Sequence, residues 1–400
     1  MATKSKATSA KKKVVKKKVV KKKVVKKKAA MRAEINGDFG IQRDVLVIGV
    51  GTIGEPLTRL LLEHREDLDI GDVYFAKFNP TDLGTVKLLQ QAGGKFVIWK
   101  ETEAHFEHVF RYHGLSIDGT IEDTFKKVCV VADCTNRGNA LKEDYYSRLR
   151  YPIGFLAQGS EEEFGHPFAY GVNDETLVPG EHKFIQVVSC NTHNILSLLR
   201  VAEAVGGEIV ASDFVLMRRM NDISQTGKAI PSPSVDQVRG KYPGYGSHQA
   251  FDAARVVRTK GVELHGRIHS TALKLDNQLM HLNRFRVRFK KKITRPEFVE
   301  AVNADRLLSL SYLRDMNLVF SKGRDHGFHG RIFNQSVIIH DSIEVSPDGR
   351  EVFGACFTPQ DGNSLLTSVA TIAWFYNPYT YQEKMKLFYE YLDRFHVIYA

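Results

Sequence analysis

The stretch DVLVIGVGTIGEPLTRLLLEH, residues 44–64, constrains the fold more than any other part of the chain. An apolar run is followed by closely spaced glycines and then by the spacing of an amphipathic helix, so the stretch predicts a strand, a turn and a helix. Gly49, Gly51 and Gly54 have the G-x-G-x-x-G spacing. Between a strand and a helix, such a turn lets the backbone approach a pyrophosphate, so we expect a dinucleotide site, although glycines also mark ordinary turns.

The segments that follow alternate between strand and helix patterns up to about residue 190. GDVYFAKF, VCVVADCT and PIGFLAQG predict strands, and TDLGTVKLLQQAG predicts a helix. This alternation is typical of a parallel sheet covered on both faces. Farther on, RFRVRFK at residues 284–290 alternates strictly between arginine and apolar residues, which indicates a strand of an antiparallel or mixed sheet with one polar face.

The predicted fold class is therefore α/β, with a Rossmann-type parallel-sheet nucleotide domain and an α+β catalytic domain. We expect the nucleotide domain at residues 31–189 and the catalytic domain, with its mixed or antiparallel sheet, at 190–357. We expect C-terminal helices at 358–400 to pack back on the nucleotide domain, and residues 1–30 to form a disordered tail.

The tail repeats KKKVV, and this period of five residues fits neither a helix nor a strand. It holds 14 of the 57 basic residues and no acidic residue, so the rest of the chain has 43 basic against 46 acidic residues and is not basic. Lysine blocks repel one another, so we expect the tail to aid solubility or to make weak polyanion contacts. No apolar run approaches the ~18 residues of a membrane span, and we expect no membrane association.

The four cysteines have neither zinc-type pairing nor the density of a disulfide scaffold, which predicts a reduced, cytoplasmic setting and no metal site. Cys190 differs from the others because it lies between a strand pattern and a helix pattern in FIQVVSCNTHNILSLLR. The positive end of that helix would stabilise a thiolate, and the Asn191 and Thr192 side chains are candidates for holding an oxyanion. The position alone also fits an inert thiol.

A nucleophilic thiol beside a dinucleotide site indicates aldehyde oxidation through a thiohemiacetal, which calls for a base. His281 in NQLMHLNRF is the candidate, although a structural histidine also fits. Arg218 and Arg219 end the predicted strand ASDFVLMRR, where they would bind a phosphate, polarise a substrate or be solvated.

The end of the second predicted strand bears on the choice of cofactor. NAD enzymes usually have an acidic residue there, whereas this chain reads FAKFNP. Lys77 would neutralise a 2′-phosphate, so we expect NADP to be preferred and NAD to be possible.

Several motifs resemble the archaeal-type (type II) glyceraldehyde-3-phosphate dehydrogenases. SCNT at residues 189–192, the Arg218-Arg219 pair, SH at 247–248 and LMH ending at His281 have the order and approximate spacing of that family. VGTIG, DCT and QGSE resemble motifs of its nucleotide domain, and FNQSVIIHDSIEVSPDGREVFGACFTPQ resembles its late strand pair. The resemblance covers roughly residues 44–375. His193, Ser160, Met220 and Ser368 depart from the family's pattern.

The resemblance implies a homotetrameric enzyme that oxidises glyceraldehyde 3-phosphate with NAD(P)⁺ and inorganic phosphate to 1,3-bisphosphoglycerate. Cys190 would be the nucleophile, His281 the base for the thiol and hydroxyl protons, and Arg218 a residue that orients the substrate. The implied substrate or phosphate contacts are Ser189, Asn191, Thr192, Arg219 and His248. The implied dinucleotide contacts are Gly49, Gly51, Thr52, Ile53, Gly54, Lys77, Cys134, Thr135, Gln158 and Gly159.

Two alternatives remain open at this stage. A related semialdehyde or acyl-phosphate reductase also combines a dinucleotide domain with a thiol, and an arginine binds a carboxylate as well as a phosphate. A catalytically silent paralogue would act as a binding protein through its basic arm.

Overall fold

The structure is a computed structural model that describes residues 43–159, 161–220, 232–237, 240–277 and 279–399. The predicted lysine-rich tail lies outside the described residues, as does most of the first half of the predicted loop that follows Met220. The two sheets described below lie within one compact unit, Gln42–Ala400, so the expected boundary at residues 189 and 190 stays a prediction.

The first sheet contains, within the described residues, seven strands in the order β3-β2-β1-β4-β5-β7-β6. Every neighbouring pair is parallel. The central strands are buried on both faces, which is why they read as continuous apolar runs. The strands are β1 (Val45–Ile48), β2 (Val73–Ala76), β3 (Lys95–Val97), β4 (Val130–Asp133), β5 (Gly154–Gln158), β6 (His166–Phe168) and β7 (Phe184–Val187).

Helices connect these strands, as the alternating pattern predicts. The helices of this part are α1 (Gly54–Glu63), α2 (Leu83–Gln91), α3 (Glu103–His113), α4 (Ile121–Thr124) and α5 (Gly138–Asp144). Short 3₁₀ turns occur along the whole chain at Lys100–Thr102, Tyr146–Arg148, Asp174–Thr176, His340–Ser342 and Lys386–Phe388.

The turn between β1 and α1 requires glycine at two positions. Gly49 has a φ of +88°, a conformation that other residues rarely adopt. A Cβ atom at Gly54 would lie 2.0 Å from the Gly49 carbonyl oxygen. The spacing of these glycines therefore lets α1 start against the end of β1. The strand order reverses between β1 and β4, the position at which open parallel sheets bind ligands.

The second sheet is mixed and contains nine strands within the described residues. The pairs of β11 with β8 and with β15 are antiparallel, whereas β8 and β10 are parallel. Its strands are β8 (Ile209–Arg218), β9 (Ser234–Val235), β10 (Ile268–Lys274), β11 (His281–Phe289), β12 (Leu308–Ser311), β13 (Ser336–Ile339), β14 (Glu344–Val345), β15 (Glu351–Thr358) and β16 (Val397–Ile398). The expected fold class, a parallel sheet plus a mixed sheet, is confirmed.

Strand β11 shows the predicted alternation. Phe285, Val287 and Phe289 are buried in the core of this part of the chain, and the intervening arginines are half-buried or exposed. Glu351 on β15 accepts hydrogen bonds from Arg286 on this polar face. The helices α6 (Cys190–Gly206), α7 (His248–Thr259), α8 (Arg295–Ala304) and α9 (Met316–His326) belong to this part of the chain.

The last helices pack on the first sheet. The helix α10 (Leu365–Tyr376) is buried along its whole length, and its apolar residues share one core cluster with β1 and α1. The segment after it forms α11 (Tyr381–Met385) and α12 (Tyr389–Asp393), with a 3₁₀ turn between them. Within the described ranges, no helix has the length and apolar character needed to cross a bilayer.

Candidate active site

The residues expected to bind a dinucleotide and the expected nucleophile follow neighbouring strands of the first sheet. Parallel strands end at one edge, so the structure brings these residues to a common edge. Neighbouring strands lie ~4.8 Å apart, so the strands that precede Cys190 and Gly49, β7 and β1, are about three strand spacings, or roughly 14 Å, apart. Between them lie Cys134 and Thr135 after β4, and Gln158 and Gly159 at the end of β5; Lys77 follows β2 on the other side.

Cys190 is the first residue of α6 and is partly exposed. The preceding residue, Ser189, caps the helix because its hydroxyl oxygen accepts a hydrogen bond of 3.3 Å from the Thr192 N–H. The thiol therefore lies at the positive end of the helix dipole, as the sequence predicts.

His281, the first residue of β11, contacts the thiol. Its Nε2 atom lies 3.6 Å from the Cys190 Sγ, and its Nδ1 atom accepts a hydrogen bond of 2.9 Å from the backbone N–H of Arg219. The imidazole is almost fully buried. Burial, together with the charges of Arg218 and Arg219, holds the pKa of His281 well below its usual value, so the ring is neutral near pH 7.

Arg218 and His248 line a cleft of about 430 Å³. Arg218 forms an ion pair with Asp236, and burial and the Arg218 charge lower the pKa of His248 to about 4. Residues that follow strands of the first sheet and residues of the second part of the chain both contribute to this cleft. Its lining also includes Asn139, Glu162, Lys241, Tyr242 and Ser247.

Arg219, an expected phosphate contact just after β8, is not among the described residues that line this cleft. Its guanidinium group is almost fully buried and forms an ion pair with Asp361, with Nη2 2.7 Å from Oδ1. A substrate phosphate would have to compete with this carboxylate. Arg219 as a phosphate contact stays a prediction, and this ion pair does not support it.

The side chains of Asn191 and Thr192 support the start of the helix. The Asn191 Oδ1 accepts a hydrogen bond of 3.0 Å from Asn283, and the Thr192 hydroxyl lies 2.8 Å from the Ser189 Oγ. Both residues are buried. These contacts assign them a structural role beside the thiol and give no support to the expected oxyanion contact.

Three residues in and just before α10 contact residues of the site, and of these only Ser368 stands out in the sequence, as a departure from the family's pattern. Asn363 donates a hydrogen bond of 2.9 Å to the carbonyl of Cys190. The Ser368 hydroxyl accepts one of 2.7 Å from Gln158. Both partners are distant in the sequence, so no local motif marks the contacts.

The third contact is between Thr367 and His193, the residue that departs from the family's pattern. The His193 ring donates through Nδ1 to the Ser189 carbonyl at 3.0 Å and accepts through Nε2 from the Thr367 hydroxyl at 2.7 Å. Burial lowers the pKa of His193 to about 4. His193 therefore links α6 to α10 and has both ring nitrogens engaged by groups other than the thiol.

An aromatic group at the ends of β2 and β3 was also missed from the sequence. The rings of Phe78 and Trp99 stack with their centroids 6.0 Å apart, and the Arg137 guanidinium lies 5.2 Å from the Phe78 centroid. The Lys77 Nζ is next to this group and 3.9 Å from the Asp82 carboxylate. Burial lowers the pKa of Lys77. Two positively charged side chains, Lys77 and Arg137, are therefore found near Phe78, the second residue after β2.

Comparison with known proteins supports a distant relation to the family that the motifs resemble. No family model matches the chain. The chain is 25% identical over 315 residues to a glyceraldehyde-3-phosphate dehydrogenase of Methanococcoides burtonii, covering 74% of this chain and 85% of the relative. It is 26% identical over 325 residues to the enzyme of the same name from Sulfolobus acidocaldarius, covering 77% and 85%. It is 24% identical over 318 residues to that of Pyrobaculum islandicum, covering 77% and 84%. These similarities indicate a distant relation to archaeal glyceraldehyde-3-phosphate dehydrogenases.

The contact between Thr367 and His193 predicts a specific stability effect. Thr367→Val removes the hydroxyl that donates to His193 and accepts from the Tyr170 N–H, so it leaves buried polar groups unpaired. We expect unfolding in urea to show a loss of about 1–3 kcal/mol. Thr371→Val is the matched control, because that buried hydroxyl bonds only to the carbonyl one turn earlier in the same helix. Equal losses in the two variants would contradict the assignment.

Proposed function

We propose that this chain is a phosphorylating glyceraldehyde-3-phosphate dehydrogenase that uses NADP in preference to NAD. The observation that carries the proposal is the position of the Cys190 thiol, 3.6 Å from His281 and at the same sheet edge as the glycine turn. A binding protein has no need of this combination. The names of the distant relatives supply the sugar phosphate as substrate.

The chain's own residues account for the first chemical step. The Cys190 thiolate, at the helix start, attacks the aldehyde carbon and forms a thiohemiacetal oxyanion. The N-terminal end of α6 and the His281 ring lie beside the thiol and stabilise negative charge there. With the bound cofactor as the oxidant, loss of a hydride would convert this thiohemiacetal to a thioester, and attack by inorganic phosphate would then release Cys190 as a thiolate.

Arg218 and His248 are the residues that we propose for the substrate phosphate. Both line the cleft, and the Arg218 charge helps to lower the pKa of His248 and that of His281. Because Asp236 already pairs with Arg218, the substrate phosphate must displace or share that contact. A guanidinium group at a strand end can donate two hydrogen bonds to two oxygens of one phosphate.

The residues at the sheet edge fit a nicotinamide dinucleotide. Gly49 is left-handed and Gly54 packs against its carbonyl, so at these two positions no side chain keeps the backbone from a pyrophosphate. Gln158, held by Ser368, lies between this turn and Cys190 in strand order. When bound, the cofactor would accept a hydride from the carbon attached to Cys190.

The preference for NADP rests on the two cations beyond β2. Lys77 and Arg137 are both near Phe78, and a 2′-phosphate would compete with Asp82 for the Lys77 amine. The aromatic ring offers a face on which adenine can stack, with Arg137 beside it. No carboxylate directly follows β2, where NAD enzymes usually hold the ribose.

The oligomeric state, the cytoplasmic setting and weak polyanion contacts of the lysine-rich tail remain proposals from the sequence. A homotetramer follows from the resemblance alone. A semialdehyde or acyl-phosphate reductase is the competing enzyme class, and the arginine in the cleft would bind its carboxylate. We favour the phosphorylated substrate because the distant relatives are named glyceraldehyde-3-phosphate dehydrogenases.

The function is tested by following NADP⁺ reduction with glyceraldehyde 3-phosphate, with and without inorganic phosphate. We expect turnover that depends on phosphate and is abolished by Cys190→Ala, with cofactor affinity unchanged. Cys129→Ser is the matched control, because Cys129 is buried just before β4, at the opposite edge of the sheet from Cys190, with its thiol 3.0 Å from the Tyr151 hydroxyl. Turnover with aspartate semialdehyde alone would reject the substrate, and full turnover by Cys190→Ala would reject the nucleophile.

Cofactor preference is tested by measuring binding of NADP⁺ and NAD⁺ calorimetrically to wild type, Lys77→Ala and Arg137→Ala. Loss of one charge-assisted contact of ~1.5–3 kcal/mol predicts roughly ten- to hundredfold weaker NADP⁺ binding. NAD⁺ binding should change little, because it lacks the 2′-phosphate. Arg148→Ala, in the 3₁₀ turn after α5, serves as a control for general loss of positive charge. Equal losses for both cofactors would contradict the role of these cations.

A further inference from the structure

A carboxylate lies in the first turn of α1, directly after the glycine turn. The N–H of Glu55 donates a hydrogen bond of 3.1 Å to the carbonyl of Gly51. Ile53, which precedes the helix, has no side-chain acceptor for the N–H groups of the first turn. These N–H groups and the helix dipole favour an anion, whereas the charge of Glu55 repels an anion from the same place. Binding of a pyrophosphate there requires that the Glu55 charge be neutralised.

Two arginines neutralise this carboxylate, one from each part of the chain. Arg59, one turn farther along α1, donates through Nη2 and Nε to the Glu55 Oε1 at 2.6 and 2.9 Å. Arg331, which lies between α9 and β13, donates through Nη2 to the Glu55 Oε2 at 3.1 Å. The three side chains are only 15–17% exposed, so solvent screens them less than it screens surface charges. Two guanidinium groups and one carboxylate give this cluster a net charge of +1.

A tight turn holds the Arg331 guanidinium group in place. The backbone groups of Phe328 and Arg331 exchange hydrogen bonds of 3.1 and 3.0 Å. Between them, His329 and Gly330 have φ angles of +44° and +86°, and the first of these is a conformation that residues other than glycine rarely adopt. The Arg331 Nη1 donates a hydrogen bond of 2.9 Å to the His329 carbonyl. The turn therefore orients the guanidinium group toward α1 before a ligand binds.

The same turn also contacts the last turn of α1, where a pyrophosphate is not expected. The His329 Nε2 lies 2.6 Å from the carboxylate of Glu63. Glu55 and Glu63 are eight residues apart, or about 12 Å along the helix axis, which exceeds the ~8 Å Debye length at physiological ionic strength. Glu63 therefore shares the contact with the turn but lies too far away to affect an anion at the start of α1.

We propose that Arg331 is a positioning residue for the dinucleotide, because it neutralises Glu55 and leaves a net positive cluster at the start of α1 that accepts the pyrophosphate. The inference rests on the proposed dinucleotide site. It adds a residue from the second part of the chain, for which the glycine motif gives no signal. Its role differs from that of Lys77, because NAD⁺ and NADP⁺ share the pyrophosphate, whereas only NADP⁺ has the 2′-phosphate.

Calorimetric binding of NADP⁺ and NAD⁺, measured without aldehyde or phosphate, tests the proposal. Glu55→Gln raises the charge of the cluster to +2, Arg331→Met lowers it to zero, and the double variant returns it to +1. We expect Glu55→Gln to bind both cofactors roughly three- to tenfold more tightly and Arg331→Met to bind both more weakly by a similar factor. The double variant should bind them as wild type does. These differences should shrink at 1 M salt, where the Debye length is ~3 Å.

Glu63→Gln is the matched control, because it removes a contact between the same helix and the same turn. Its affinity for both cofactors should equal that of wild type. If Glu55→Gln and Arg331→Met weaken binding alike, the ion pair only holds the turn on the helix, and the proposal is overturned. Unchanged affinities in both variants overturn it as well. Misfolding does not produce tighter binding, so Glu55→Gln decides the matter even where Arg331→Met is unstable.

The outcome is separate from the test of the proposed substrate. Binding needs no aldehyde, so a chain that shows these affinity changes but does not oxidise glyceraldehyde 3-phosphate would reject the proposed substrate and support the role of Arg331. Turnover with glyceraldehyde 3-phosphate by a chain whose affinities do not follow the cluster charge would do the reverse. A wild-type chain that binds neither dinucleotide would overturn both.

Discussion

The direct passage of strand β7 into helix α6 is the constraint on which the site depends. Because β7 is parallel to its neighbours, its carboxyl end lies at the edge that also carries the glycine turn. Ser189 caps the helix and Cys190 begins it, so one short segment delivers a thiol to the positive end of a helix and to the ligand-binding edge of the sheet.

The helix α10 and the residues just before it contact the segments that follow two neighbouring strands at that edge, β5 and β7. Asn363 holds the Cys190 carbonyl, Thr367 holds His193, and Ser368 holds Gln158. All three are buried, and the contact of Thr367 with His193 is shielded from competing water on both sides. The helix α10 therefore holds the start of α6, which carries the thiol, in a fixed position relative to the end of β5, which carries Gln158.

Local patterns were sufficient to predict the architecture and to single out Cys190 and His281. The glycine turn, the apolar runs and the alternation of β11 each depend on neighbours in sequence. The roles of Arg219 and His193 were not predictable, because they depend on Asp361 and Thr367, which are more than a hundred residues away. Asn363 and the contact between Phe78 and Arg137 were also not predictable, because each pairs residues that are more than fifty positions apart in the sequence.

The most direct test of the account is to trap the acyl-enzyme. The full chain is mixed with glyceraldehyde 3-phosphate and NADP⁺ in the absence of phosphate, quenched in acid, and digested for mass spectrometry. The account predicts that the peptide containing Cys190 gains one phosphoglyceroyl group and that added phosphate removes it. An unmodified Cys190 peptide, or the same group on another residue, would contradict the account.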